Sequence, residues 1–137
     1  MKDNKHEQSL ETPIRVFLVD DHPLVRRGLS ALLEAEPDVE VIGEADSIMQ
    51  ASDELDRVRP NVVLIDLNLG HESGFDLLHH IQNKWVGVRT IVVSMHSPQL
   101  YAEKAIATGA SGYVRKDQAS EKIVDAIRTV QQGYEFF

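Results

Sequence analysis

Five side chains of this 137-residue sequence could do chemistry together: Asp20, Asp21, Asp66, Ser94 and Lys116. Asp20 and Asp21 sit inside the stretch VFLVDDHPLV (16–25), directly after a run of apolar residues. Like charges side by side against a core repel each other and resist desolvation, so the pair calls for a positive partner. Asp66 follows NVVLI, Ser94 ends RTIVVS, and Lys116 comes shortly after SGYV. Three acids, a hydroxyl and an ammonium at the ends of apolar runs predict a cation held opposite a phosphate, provided that the runs lie side by side.

The elements that must position these groups are legible from the pattern. Short runs rich in Val, Ile or an aromatic occur at IRVFLV (14–19), VEVIGE (39–44), NVVLID (61–66), RTIVVS (89–94) and SGYV (111–114). They alternate with helix-period segments, which predicts a single α/β domain with a doubly wound parallel sheet covered on both faces. Ligand sites in such sheets lie at the carboxyl ends of the strands. Helix 1 is predicted from Val25, Leu29, Leu32 and Leu33 after Pro23, and helix 2 from Ile48, Ala51, Leu55 and Val58. A capping box of Ser47 and Gln50 opens helix 2, and Pro60 marks its stop. Leu77, Leu78 and Ile81 define helix 3, and Ile123, Ile127 and Val130 define helix 5, which ends near Gly133. Helix 4, around PQLYAEKAIATG, has mainly Leu100 and Ile106 to bury, which makes it the loosest element; close packing of its alanines is the alternative.

Taken in order, FLVDDHPLVRRGLSALLEAEPDVEVIGEA, VVLIDLNLGHESGFDLL, IVVSMH and GASGYVRKD resemble the receiver domain of two-component response regulators. The details DDHPLVRRGL and GYVRKD are most similar to the NarL/FixJ (LuxR-type) branch, whose members usually continue into a helix-turn-helix DNA-binding domain. The resemblance covers about residues 14–132 and implies a (βα)5 flavodoxin-like fold with strand order 2-1-3-4-5. A polar tail (1–13) precedes this domain, and residues 133–137 begin a linker or C-terminal tail.

By this resemblance Asp66 is the phosphoacceptor, taking a phosphoryl group from a sensor histidine kinase or phosphotransfer protein. Mg²⁺ is held by Asp20, Asp21, Asp66 and the backbone carbonyl of Asn68, with Asp21 ligating directly and Asp20 partly through water. Lys116 supplies positive charge to the phosphoryl oxygens, and Ser94 a hydroxyl drawn in once Asp66 is modified. That movement opens space for Tyr113 to turn inward and reshapes the helix 4, strand 5, helix 5 surface, through which a homodimer could form. Two positions depart from the family pattern. Gly70 stands where receivers usually carry proline, which predicts a more flexible NLGHES loop, and Asp117 replaces a proline after the lysine, leaving the isomer of that peptide open.

Each residue also has a plainer reading. Asp20 alone could cap a helix and Asp66 alone could be a loop acid; it is the coincidence of five positions that favours chemistry. His79 and His80 are adjacent and point to different sides of a helix, so they make no metal pair. His71 and His96 flank the site, and His22 before Pro23 reads as structural. A phosphohydrolase of the haloacid-dehalogenase type would usually place a second acid two residues after the nucleophile, where this chain has Asn68. A receiver serving only as a binding platform would be expected to lack one of the acids or the lysine. No G-x-G-x-x-G follows strand 1, against dinucleotide binding.

A net charge of −8 argues against this domain gripping a phosphate backbone, so DNA contact is expected only through a further C-terminal domain. With no cysteine there is no disulfide, thiolate metal site or thiol nucleophile. The composition, 42% hydrophobic and 26% charged, and the lack of a long apolar run or secretory signal predict a cytoplasmic protein without membrane contact. The ending on Phe136 and Phe137 suggests a piece of a longer transcription regulator, a stand-alone receiver being the alternative.

Overall fold

A computed structural model describes residues 12–137; the expected polar tail lies, up to residue 11, outside the described residues. The elements are β1 (Ile14–Val19), α1 (Pro23–Glu34), β2 (Val39–Ala45), α2 (Ile48–Val58), β3 (Val62–Ile65), β4 (Asn68–Leu69), β5 (Glu72–Ser73), α3 (Gly74–Lys84), β6 (Arg89–Ser94), α4 (Pro98–Ala107), β7 (Gly112–Arg115) and α5 (Ala119–Gln131), with a 3-10 turn at Lys116–Gln118. Five strands form one parallel sheet in the order β2-β1-β3-β6-β7. Without the small β4–β5 hairpin, this is the expected 2-1-3-4-5 order of the flavodoxin-like fold.

Alternation along the strands divides the core between the two faces of the sheet. Phe17, Val19, Val63, Ile65 and Val92 pack with Ala51 and Leu55 of α2, Leu77, Leu78 and Ile81 of α3, and Ala105 of α4. Val16, Leu18, Leu64, Ile91 and Val93 pack on the other face with Leu29 and Leu33 of α1 and Ile123, Ile127 and Val130 of α5. β3 is fully buried along its length, as a central strand covered on both faces must be.

Two local expectations need correction. Leu100 and Ile106 are exposed at 67% and 45%; α4 instead buries Ala105 and packs Tyr101 against the core. Residues six apart lie about 120° round a helix, so the two cannot share one buried stripe. The capping box forms only in part: Ser47 Oγ accepts from the Gln50 amide at 3.2 Å, but Gln50 Oε1 accepts from the amide of Asp46, one residue before the cap. The NLGHES segment carries the small β4–β5 antiparallel hairpin, and Gly70 supplies its turn with φ of +65°. The Lys116–Asp117 peptide is trans.

Two further contacts hold the layers together. Arg128 on α5 donates from Nε and Nη2 to both oxygens of Asp38, and from Nη2 to Glu36, each at 2.8 Å, tying α5 to the loop before β2. Past α5, Phe136 extends the sheet beside β7: its amide donates to Ser111 O, and its carbonyl accepts from the Tyr113 amide, both at 2.9 Å.

Candidate functional site

The carboxyl ends of β1, β3 and β6 bring Asp20, Asp66 and Ser94 to one rim, all buried. Each is pinned in the same manner: its side-chain oxygen accepts from the backbone amide two residues ahead. Asp20 Oδ1 takes the His22 amide at 2.8 Å, Asp66 Oδ1 the Asn68 amide at 3.1 Å, and Ser94 Oγ the His96 amide at 3.1 Å. These turns fold each strand end over on itself and leave the second carboxylate oxygens of Asp20 and Asp66 to face inward.

Lys116 reaches them from the end of β7. Its Nζ lies 2.9 Å from Asp66 Oδ2 and 3.0 Å from Asp20 Oδ2, and its side chain is nearly buried. Burial opposes the Lys116 charge, yet the hydrogen bonds to Asp66 and Asp20 raise it above the usual lysine range, so the ammonium stays protonated. Burial also raises the Asp66 carboxyl, further than the Lys116 ammonium and the Asn68 amide pull it down, with the Asp20 charge adding to the rise. The causes differ: burial dominates at Asp66, while hydrogen bonds to two carboxylates dominate at Lys116.

Sequence reasoning missed part of this site. His22 has the extended backbone expected before Pro23, and its ring turns toward the acids. Nδ1 lies 2.9 Å from Asp20 Oδ1, 3.0 Å from Asp21 Oδ1 and 3.7 Å from Asp66 Oδ2. Arg26 donates from Nη1 to the carbonyl of Asp20 at 2.6 Å and from Nε to Glu44 at 3.0 Å, clamping the acidic loop to β2. Gly74, the first residue of α3, donates its amide to Leu67 O at 2.8 Å. A Cβ there would stand 2.2 Å from the carbonyl oxygen of Asp66, so the close approach requires glycine. The signals were in the sequence: a histidine next to the acid pair, an arginine one turn into helix 1, and a glycine at a helix start.

The remaining predicted residues fall around this centre. Asn68 joins it through its amide. Tyr113 sits behind, 3% exposed, with its ring turned inward and its hydroxyl donating to His96 O at 3.0 Å. His71 and His96 line a cleft of about 350 Å³ with Asn68, Glu72, Tyr101 and Lys104. His79 approaches Asn83 and His80 lies edge-on to Trp85, so the two rings point apart as expected.

The donor set suits a divalent cation. Carboxylate oxygens of Asp20, Asp21 and Asp66 and a ring nitrogen of His22 all lie within 4.8 Å of one another. Asp21 Oδ1 is buried and accepts no hydrogen bond, its nearest polar neighbour being the His22 ring nitrogen at 3.0 Å, so a cation there would satisfy it. Hard oxygen donors of this kind are those that Mg²⁺ takes. Among the described residues no helix is long and apolar enough to cross a membrane.

Comparison with known proteins points the same way. Residues 16–128 match the family of response regulator receiver domains. The transcriptional regulatory protein MctR of Rhizobium johnstonii is 40% identical over 125 residues, which cover 90% of this chain and 58% of that protein. The chain spans between half and two thirds of the length of curated relatives that it matches. Among solved structures, a two-component response regulator of the LuxR family from Aurantimonas superposes with a TM-score of 0.85 at 35% identity, covering 92% of this chain and 90% of that one. The signal receiver domain of the response regulator NarL from Mycobacterium tuberculosis gives 0.82 at 29% identity, covering 89% and 98%.

Proposed function

Since the chain belongs to the response regulator receiver domain family, of the NarL/LuxR kind, we propose that it is a phosphorylation-driven switch whose acceptor is Asp66. The observation that carries this reading is the convergence of Asp20 and Asp66 on Lys116 Nζ, within 3.0 Å of both.

A sensor histidine kinase or phosphotransfer protein presents a phosphorylated imidazole. A carboxylate oxygen of Asp66 attacks phosphorus as the N–P bond breaks, the imidazole leaves with the bonding pair, and an aspartyl phosphate remains. Such transfers need position and charge neutralisation more than covalent help. Asp20, Asp21, Asp66 and the Asn68 carbonyl would hold Mg²⁺, which when bound supplies positive charge at the phosphoryl oxygens. Lys116, already beside Asp66 Oδ2, follows the charge onto the new phosphoryl group. Hydrolysis reverses the state: water adds at phosphorus, inorganic phosphate departs and the carboxylate returns. The chain thus catalyses its own modification, not the turnover of a metabolite.

Ser94 acts as the sensor. Its hydroxyl turns away from the His96 amide, from which it accepts, to donate to a phosphoryl oxygen, and because the Tyr113 hydroxyl rests on His96 O, the change passes to β7 and to the α4, β7, α5 surface. That surface would then control a C-terminal helix-turn-helix DNA-binding domain, possession of a DNA-binding half being the rule in this branch. A cytoplasmic location and a homodimer through that surface belong to the same reading; a receiver that works alone through protein contacts is its alternative.

The test is incubation with acetyl phosphate and Mg²⁺ followed by intact mass. The parent gains a phosphoryl group, whereas Asp66→Asn and a metal-free sample do not; equal labelling of all three would refute the assignment.

A further inference from the structure

On the reading that Asp20, Asp21 and Asp66 hold a divalent cation, we propose that the imidazole of His22 is a fourth side-chain ligand, so that the site takes a transition metal as well as Mg²⁺. The acids alone form an all-oxygen site, suited to Mg²⁺. An imidazole changes its class, because nitrogen donors favour the later first-row metals, in the order from Mn²⁺ through Co²⁺ to Ni²⁺, with Zn²⁺ also well served.

Geometry carries the argument. Neighbouring ligands of an octahedral ion with bonds of about 2.1 Å stand roughly 3.0 Å apart. His22 Nδ1 has this spacing already, at 2.9 Å from Asp20 Oδ1 and 3.0 Å from Asp21 Oδ1, with Asp66 Oδ2 at 3.7 Å. The placement does not depend on a freely swinging side chain. Pro23 limits His22 to extended backbone, and the His22 amide is held by Asp20 Oδ1 at 2.8 Å. The side chain is 59% exposed, which allows the tautomer that keeps the proton on Nε2 and leaves the Nδ1 lone pair for the metal. The same nitrogen lies at hydrogen-bonding distance, 2.9 Å, from Asp20 Oδ1. Ligation and hydrogen-bond donation need opposite states of Nδ1, one with a lone pair and one with a proton, which makes the two roles separable.

The measurement is pulsed electron paramagnetic resonance of Mn²⁺ bound to the full chain, which detects a directly bound ¹⁴N. We expect a nitrogen coupling in the parent and in His80→Gln, and its loss in His22→Gln. In competition titrations His22→Gln should bind Ni²⁺ roughly tenfold or more weakly, while Mg²⁺ affinity moves less than about threefold. Mn²⁺ bound in an Asp21-dependent manner without nitrogen coupling would overturn the His22 role and leave the carboxylate site standing. Failure of Mn²⁺ to bind, or binding indifferent to Asp21→Asn, would overturn the carboxylate site and His22 with it.

Discussion

Two glycine-to-alanine substitutions at helix positions should have opposite effects. In Gly74→Ala the new Cβ would stand 2.2 Å from Asp66 O, 2.8 Å from Leu67 Cα and 3.0 Å from the Asp66 carbonyl carbon, all backbone atoms. Carbon and oxygen cannot approach so closely, and no side chain can rotate away. The backbone of residues 66 and 67 must therefore retreat by roughly 1 Å, or α3 must lift. Overpacking of this kind costs about 1–3 kcal/mol, against which the better helix propensity of alanine returns at most about 1 kcal/mol. Since the displaced residue is the acceptor itself, phosphorylation should also slow by about 100-fold, as expected for a 1 Å misplacement. Gly28, exposed on α1, has nothing within 4 Å of its would-be Cβ; Gly28→Ala should stabilise by about 0.5–1 kcal/mol and leave the rate alone. Urea unfolding and the rate of labelling by acetyl phosphate measure both. A Gly74→Ala protein as stable and as fast as the parent would refute the reasoning about close approach at the acceptor.

The Arg128 network gives stability a pH dependence. Its hydrogen bonds, followed by its charge, hold the Asp38 carboxyl below the usual range despite partial burial. Such a group stabilises fully above its unfolded value of about 3.9 and loses that stabilisation as pH falls through the lower folded value. Arg128→Met should therefore cost about 1 kcal/mol at neutral pH, the figure being held down by solvent exposure, and the deficit should shrink in acid; urea midpoints across pH 2–7 test this. Thr90 Oγ1 is buried without a partner in the protein, so Thr90→Val should be neutral or stabilising in thermal melts. Phe136→Ala should destabilise by about 1–2 kcal/mol and speed hydrogen exchange at the Tyr113 amide, which donates to Phe136 O.

Much of the fold was legible because a parallel sheet buried on both faces writes itself as short apolar runs. The run NVVLID showed both the central strand and the acid at its end. The α1 and α5 faces were legible too, their leucines and isoleucines recurring at helical spacing. α4 was misread because the pattern weighs Leu100 and Ile106 above Ala105, although burial follows position round the helix, not residue size. The hairpin at Asn68–Ser73 escaped because its strands are two residues long, too short for alternation to register. At the site, side chains placed at strand ends by topology were found, whereas those that depend on a turn or a close approach were not. His22 was read from its backbone restriction, which holds, while the direction of its ring is set by the Asp20 turn. Arg26 and Gly74 left only weak signals, since a turn and a close approach set their contacts, whereas Arg128 meets Asp38 across 90 positions of sequence, which no local spacing encodes.

The most direct test of Asp66 as phosphoacceptor is to trap the modified chain. After treatment with acetyl phosphate and Mg²⁺, borohydride reduces an acyl phosphate to an alcohol, and peptide mapping then locates the altered residue. The account predicts homoserine at position 66 and unmodified Asp20 and Asp21. Homoserine at either of those positions, or none anywhere in the chain, would contradict it.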